Sequence, residues 1–188
     1  MPMMVHVNGK RRPTYALIDT GANTWAITES LCRELNAPQN SISVQLNTFD
    51  NSSNATREIT SFKVTNLSNT FELTVENALI GSQSSTEREK TPTQRELNCF
   101  EHLKDLRICV LENKEINLLL YAKFAYYFCI GDNRIGNHDE PLALGTKFGH
   151  AIIGPRILND NEDEDDNSRK SVTWSAVPDA PKLVYVGM

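Results

Sequence analysis

The chain has 188 residues with 39% hydrophobic and 23% charged side chains, a composition that favours one folded domain over a disordered chain. Its formal net charge is −5, and a run of acidic residues lies between Asp160 and Asp166. Outside that run basic and acidic side chains nearly balance, so we expect no basic face of the kind that binds phosphates. Direct nucleic-acid binding is therefore not expected.

Neither the hydropathy nor the cysteine pattern points to export or to metal binding. No segment approaches the ~20 apolar residues that span a bilayer, and the first residues lack the apolar centre of a signal peptide. The four cysteines form no Cys-x-x-Cys pair and no Cys/His cluster typical of zinc sites. We expect an intracellular, cytoplasmic protein with no membrane partner, reduced and mostly buried cysteines, no metal and no organic cofactor.

The first forty residues predict a hairpin followed by a helix. Met3–His6 is extended, Asn8-Gly9 is a tight-turn dipeptide, and Tyr15–Ile18 is a short apolar run suited to a buried strand that leads directly to Asp19. After a break, Thr28 is a candidate helix cap. The helix predicted there buries one face and ends before Pro38, with apolar residues at Leu31, Cys32 and Leu35.

The middle of the chain alternates with a period of two, which predicts half-buried antiparallel strands from Ser41 to Asn77. The segment from Phe49 to Arg57 is rich in Asn and Ser and is expected at an exposed hairpin tip. One short helix is predicted within Leu97–Leu106, and another buried strand at Ile116–Leu120. Gly145 and Gly149 are expected in turns.

These patterns divide the chain into three parts. Residues 1–158 form the folded domain, which is mainly β with one or two short helices. Residues 159–171 form an acidic disordered tail or linker, because like charges repel and no apolar residue anchors them. Residues 172–188 form a C-terminal segment that contains Leu183–Val186, a candidate edge strand.

The segment most suggestive of chemistry is the apolar strand that ends in Asp19-Thr20-Gly21-Ala22. A carboxylate at such a strand end is covered by backbone, and a Thr-Gly turn can aim N–H groups and a hydroxyl at it, which holds the carboxylate without a cation. A strand-end Asp that only satisfies a turn is the plain structural alternative.

The chain resembles the retropepsin-like aspartic peptidases, most closely the peptidase domain of Pao/BEL-type retrotransposon polyproteins. The resemblance follows the family order over most of the chain and is carried by Ala16–Ala22, Ile27–Leu31 through Leu35, Glu101–Leu106, Ile116–Leu120, Thr146–Gly149 and Ile153-Gly154-Pro155.

This resemblance implies a small closed retropepsin-like β-barrel, the acid protease fold, in which the strand ending at Asp19 and the strand Ile116–Leu120 cross beneath the active site. It implies that the hairpin around Phe49–Arg57 is a flap over the substrate. It also implies an aspartic endopeptidase that cleaves peptide bonds of an extended polyprotein. In that mechanism two carboxylates share a proton and activate a water molecule.

The chain contains one Asp-Thr-Gly and no Asp-Ser-Gly, so a catalytic partner for Asp19 must come from another copy across a two-fold axis. The resemblance thus implies a homodimer, with Asp19 catalytic and with Thr20, Gly21 and Ala22 forming the active-site turn. The terminal strands, Met3–His6 and Leu183–Val186, are candidate interface elements because unpaired edges favour pairing.

Two departures from the family pattern bear on activity. Tyr121 and Lys123 stand where the family usually has a glycine and an acid, and Asn and Ser replace the flap glycines. The alternative function is therefore a catalytically degenerate domain that binds peptide or dimerises. A third reading is a small β-rich scaffold in which Asp-Thr-Gly is accidental.

Other polar residues favour structural roles. His102 lies in an apolar context, and His138-Asp139-Glu140 is more typical of a polar turn before Pro141 than of a metal site, because consecutive residues do not converge on one ion. His150 replaces a family tryptophan, which predicts a change of packing only.

Overall fold

The computed structural model describes residues 1–19, 22–47, 52–81, 92–113, 115–121 and 131–155, with the backbone alone for 45–47 and 52–54. Strands dominate these residues, and two short helices accompany them. The elements are β1 (Pro2–Val7), β2 (Lys10–Asp19), β3 (Ala26–Thr28), α1 (Glu29–Leu35), β4 (Asn40–Asn47), β5 (Ser52–Thr65), β6 (Glu72–Gly81), α2 (Gln94–Leu97), β7 (Ile116–Tyr121), β8 (Leu142–Thr146) and β9 (Gly149–Ile153).

Six of these strands close into a mixed barrel, as the sequence predicts for the fold class. The hydrogen-bonded order is β1-β2-β7-β3-β6-β5, and β5 returns to β1 to complete the circle. Strand β7 is parallel to β2 and antiparallel to β3, while β3 is parallel to β6. Strand β4 pairs with the first half of β5 and extends the sheet beyond the barrel.

The first hairpin follows directly from its turn residues. Asn8 and Gly9 both have positive φ, 49° and 79°, which is the conformation of the type I′ turn that suits the twist of paired strands. Along β1 buried and half-buried residues alternate, so that Met3, Val5 and Val7 face the barrel core. The prediction of this hairpin is confirmed.

Helix α1 begins at the cap that the sequence predicts. The Thr28 hydroxyl accepts a hydrogen bond from the backbone N–H of Leu31 at 3.4 Å, and Asn36, with φ of 53°, ends the helix in the left-handed conformation. Leu31, Cys32 and Leu35 are buried against the barrel. Both the cap and the buried face are confirmed.

The two-stranded sheet of β8 and β9 packs on the barrel through the turn that joins its strands. Phe148 in that turn is buried in the main core, and its ring meets Phe71 edge to face at a centroid distance of 5.0 Å. The Lys147 ammonium lies 5.1 Å from the Phe71 centroid, and Asn66 donates a hydrogen bond to the Lys147 carbonyl. A smaller cluster of Leu97, Leu103, Leu106 and Ala143 packs under the same sheet.

The helix expected within Leu97–Leu106 is wrong in position. Helix α2 begins earlier because Thr93 and Glu96 form a reciprocal capping box, and it ends at Leu97. Beyond it the chain continues as a series of turns, closed by bonds such as Leu103 N–H to Phe100 O and Leu106 N–H to Leu103 O.

The hairpin between β4 and β5 is longer and more regular than expected. Ser52–Arg57, predicted to belong to the exposed tip, is already strand and pairs with β4 from Asn47↔Ser52 onward. Residues 49–51, the remainder of the predicted flap tip, lie outside the described residues. Gly145 and Gly149 are strand residues rather than turn residues: Gly145 lies within β8 opposite His150, and Gly149, with φ of 117°, begins β9 just after the turn.

The expectation of mostly buried cysteines is met only in part. Cys32 is buried, but Cys99 and Cys109 are exposed because they lie in the turns and extended chain after α2; all three are free thiols. Cys129, the acidic run 159–171 and the segment 172–188 lie outside the described residues. No helix in the described part of the chain is long and apolar enough to cross a membrane.

The expected free edge at Met3–His6 is not available. Strand β1 pairs with β2 along its whole length, and Met4–His6 pairs on the other side with β5. Because the barrel closes through the pairing of Met4–His6 with β5, this segment is not the unpaired edge that was predicted for an interface.

Candidate active site

Asp19 is the last residue of β2, at the end of an apolar strand of the barrel. Tyr15 and Ala16 are buried, whereas the side chains from Leu17 to Asp19 are half-buried as the strand reaches the barrel end. The carboxylate is thus carried on a rigid element rather than on a loop. A rigid support of this kind favours a fixed position for a functional side chain.

Tyr121 is the direct neighbour of Asp19 in the sheet. Strands β2 and β7 are parallel, and Asp19 lies opposite Tyr121 at the last step of their pairing. Adjacent strands are about 4.8 Å apart, and opposite residues of parallel neighbours project to the same face. Tyr121 is half-buried and packs against the main core. The phenol is therefore a near neighbour of the carboxylate.

The backbone after Asp19 stays close to the end of β2. The backbone N–H of Ala22 donates to the Asp19 carbonyl at 3.3 Å, and the chain then enters β3, which runs antiparallel to β7. Trp25, just before β3, is buried and meets Phe62 edge to face at a centroid distance of 6.4 Å. The buried indole anchors the segment that follows the Asp-Thr-Gly sequence.

Asn23, in the same segment, has a buried side-chain oxygen with no hydrogen-bond partner among the described residues. An unpaired buried acceptor is costly and is uncommon in folded proteins. Two residues of this region, Thr20 and Gly21, lie outside the described residues. Asn23 is therefore the polar group at this end whose hydrogen bonding is incomplete in the described part of the chain.

The predicted site residues are thus placed in part. Asp19 and Ala22 lie together at one end of the barrel, and the predicted departure Tyr121 lies beside Asp19. Thr20, Gly21 and Lys123 fall outside the described residues. The strands that were expected to cross beneath the site run side by side as parallel neighbours.

Asn117 is a polar residue of this region that the sequence reading did not single out. It is 5% exposed, and its side chain joins three elements. The Asn117 amide N–H donates to Thr14 Oγ1 at 2.9 Å, and Asn117 Oδ1 accepts from the Thr28 hydroxyl at 2.6 Å. Its signal in the sequence is a single amide within the otherwise apolar run Ile116–Leu120.

The histidines have structural partners. The His102 Nε2–H donates to the carbonyl of Pro141 at 2.8 Å, since a carbonyl can only accept, and His102 Nδ1 lies 3.8 Å from Glu140. These contacts support the structural role predicted for His102. His150 Nε2 similarly lies 3.1 Å from the carbonyl oxygen of Asp132.

The segment His138-Asp139-Glu140 forms the polar turn that the sequence predicts. Asn137 and Glu140 close it, because the Glu140 N–H donates to the Asn137 carbonyl and the Asn137 N–H donates to the Glu140 carboxylate. Among the described residues no group of three or more His, Cys, Asp or Glu side chains could hold a metal ion.

An ion-pair network at the surface is centred on Arg134. Arg134 bonds both oxygens of Asp132 and both oxygens of Asp105. The hydrogen bonds from Arg134 hold the pKa of the Asp132 carboxyl below its usual value. This network ties the turns after α2 to the chain that leads into β8, which is a structural function.

The described residues thus define a small closed mixed barrel with a half-buried aspartate at the end of an apolar strand. Comparisons with protein-family models, with curated proteins and with solved structures found no match to this chain. The assignment of a function therefore depends on the sequence and on the geometry around Asp19.

Proposed function

We propose that this chain is an aspartic endopeptidase of retroelement type that acts in the cytoplasm as a homodimer on extended segments of a polyprotein. Asp19 is the catalytic residue, and Thr20, Gly21 and Ala22 form the turn that holds its carboxylate. One Asp19 of the pair is the general base that activates water, while the protonated partner carboxyl polarises the scissile carbonyl. No metal or organic cofactor takes part.

The observation that carries this proposal is the position of Asp19 at the end of an apolar barrel strand, immediately before Thr20-Gly21. The strand fixes the backbone of Asp19, and the Ala22 N–H bond to its carbonyl holds the following chain close. Such a carboxylate is preorganised for chemistry, because little conformational entropy remains to be lost when substrate binds.

The homodimer follows from the need for a second carboxylate. The chain contains a single Asp-Thr-Gly, and two carboxylates that share one proton must approach to about 3 Å. A two-fold axis beside Asp19 provides that approach with one acidic residue per chain. Since Met4–His6 is paired on both sides, this part of β1 offers no unpaired edge to the interface.

The test compares the wild type with Asp19→Asn and Asp139→Asn on a library of extended peptides between pH 4 and pH 7. Asp139 is a matched control because its side chain is exposed, at 75%, and lies in the polar turn before β8. We expect cleavage by the wild type and by Asp139→Asn, and none by Asp19→Asn with an unchanged dimer. Cleavage that survives Asp19→Asn overturns the proposal.

A second candidate function is supported by Tyr121. The phenol stands beside Asp19 at a position where close approach of a second chain needs space, so the barrel fits a domain that binds peptide or dimerises without catalysis. In that case neither the wild type nor Asp19→Asn cleaves peptides, while both bind the same peptides or form the same dimer. Equilibrium binding of fluorescent library peptides and sedimentation measure this outcome.

A further inference from the structure

The pairing of β2 with β7 contains an irregularity close to Asp19. Tyr15 lies opposite Ile116, but the next residue, Ala16, lies opposite Leu118. Strand β7 therefore carries one extra residue, Asn117, between two successive steps of β2. This is the arrangement of a β-bulge, which bends a strand and re-aims the side chains that follow.

The side chain of Asn117 is held on two sides of this bulge. It donates to Thr14 Oγ1 on β2 at 2.9 Å, and it accepts from the hydroxyl of Thr28, the cap of α1, at 2.6 Å. The Thr14 hydroxyl in turn donates to the carbonyl of Glu115, at 3.2 Å, just before β7 begins. The bulge is thus tied both to the strand beside it and to the helix N-terminus.

The bulge determines which residue lies beside Asp19. With Asn117 as the extra residue, Leu118 and Leu120 are buried in the core, and Asp19 lies opposite Tyr121. Continuous pairing from Tyr15↔Ile116 would instead place Leu120 opposite Asp19. A shift of one residue also reverses the face to which every following side chain points.

The apolar pattern of β7 does not select between these two registers. Ile116, Leu118, Leu119 and Leu120 are all apolar, so either face of the strand could fill the core. Asn117 distinguishes the two registers. Continuous pairing would place its amide opposite Ala16, a core residue, and away from its hydrogen-bond partners Thr14 and Thr28.

We propose that Asn117 is a positioning residue that fixes the register of β7 against β2 and thereby places Tyr121, rather than Leu120, beside Asp19. The amide acts through Thr14 and Thr28 and does not touch a substrate. This role concerns the geometry of the Asp19 end of the barrel, and it holds whether or not the chain cleaves peptides.

The test determines the register directly by nuclear Overhauser contacts between the backbones of β2 and β7. In the wild type we expect contacts between Asp19 and Tyr121. In Asn117→Leu the strand has no polar residue to mark the bulge, and we expect contacts between Asp19 and Leu120 to appear while those to Tyr121 weaken. A folded Asn117→Leu protein with the wild-type contacts alone overturns the proposal.

Two further variants make the result specific. Ser30→Ala is the matched control: the Ser30 hydroxyl lies 3.5 Å from Asn117 Oδ1, the longest contact of the set, and its removal should leave the register unchanged. Thr14→Val removes the acceptor of the Asn117 amide and should produce a second set of β2–β7 contacts. If Asn117→Leu does not fold, Thr14→Val decides, and a single wild-type register in that variant overturns the proposal.

A kinetic measurement connects this role to the proposed function, and this measurement depends on the proposed function being correct. If the wild type cleaves peptides, Asn117→Leu should raise kcat/KM about tenfold, because the register shift moves the Tyr121 phenol away from Asp19 and places the smaller Leu120 there. Absence of cleavage by the wild type overturns the proposed function alone. The backbone contacts still decide the role of Asn117.

Discussion

Asp19 and Tyr121 are opposite residues of two parallel strands, and each is the last residue of its strand. The carboxylate and the phenol therefore project from the same end of the barrel and to the same face. This relationship is central for any function at Asp19, because a second chain that approaches this carboxylate also meets the tyrosine.

Replacement of Tyr121 by glycine tests whether the phenol limits activity. We expect Tyr121→Gly to raise kcat/KM for peptide cleavage about tenfold or more, since glycine permits close backbone approach. The same change should lower the free energy of unfolding by roughly 2–3 kcal/mol, because Tyr121 packs against the core. Kinetics on the best library peptide and urea unfolding measure the two effects.

Leu119→Ala is the control for Tyr121→Gly. Leu119 is half-buried and lies two residues before Tyr121 on β7, so the two side chains share one face of the strand. It should lower stability with no gain in activity. An equal gain from both variants, or no gain from a folded Tyr121→Gly, would show that the phenol is not the obstacle.

Two buried threonines form a matched pair for the Asn117 network. Thr14 and Thr60 are each 2% exposed, but the Thr14 hydroxyl is bonded to Asn117 and Glu115, whereas Thr60 Oγ1 has no partner among the described residues. Thr14→Val should lower the free energy of unfolding by about 1–3 kcal/mol, and Thr60→Val should leave it within about 0.5 kcal/mol or raise it. Urea unfolding of the two variants decides, and equal losses would contradict the structure.

Cysteine reactivity should follow burial. Burial, with a contribution from the charges of Glu29 and Glu58, raises the pKa of the Cys32 thiol to about 11, whereas Cys99 and Cys109 are exposed. At pH 8 iodoacetamide should modify Cys99 and Cys109 and leave Cys32 intact until the protein is unfolded. Peptide mass spectrometry reads each site, and rapid modification of Cys32 in the folded protein would contradict its buried position.

The same thiol predicts a loss of stability at alkaline pH. An unfolded Cys32 ionises near its ordinary pKa of 9.0, while the folded thiol keeps its proton to about 11, so the free energy of unfolding should fall as the pH rises through this interval. Cys32→Ala should show a shallower fall. Urea titrations at pH 8, 9 and 10 compare the slopes, and equal slopes in the two proteins would exclude a contribution from this thiol.

Two strand glycines should respond differently to alanine. A Cβ at Gly145 would meet the backbone N of Asp132 at 2.7 Å, whereas a Cβ at Gly81 would have no atom of the described residues within 4 Å. Gly145→Ala should therefore cost about 1–3 kcal/mol by overpacking, and Gly81→Ala should be neutral or slightly stabilising. Thermal unfolding of both variants measures this, and a neutral Gly145→Ala would mean that the chain before β8 moves freely.

Local signals in the sequence predicted much of this barrel. The Asn8-Gly9 turn, the Thr28 cap and the run Ile116–Leu120 each specify their element through short-range chemistry, and the structure confirms all three. The alternating pattern also indicated a mainly β fold, whereas the closure into a barrel was expected only from the family resemblance. The start of α2 was missed, although Thr93 and Glu96 form a capping box that the sequence itself contains.

Long-range relationships were not available from these local patterns. The pairing of β1 with β5 removes the free edge expected at Met3–His6, and no periodicity within either strand indicates it. The bulge at Asn117 likewise depends on Thr14 and Thr28, which are distant in sequence. For the candidate site, the family resemblance placed Tyr121 close to Asp19, and the strand register shows that the two are direct neighbours in the sheet.

The bond between Thr14 and Asn117 spans 103 residues of chain, and the β2–β7 pairing beside it spans a similar interval. Contacts of such long range form slowly, because a large loop must close before any favourable interaction is gained. During translation the Asp19 end of the barrel therefore stays incomplete until β7 has left the ribosome. A nascent chain interrupted before that point would leave the edge of β2 exposed to aggregation.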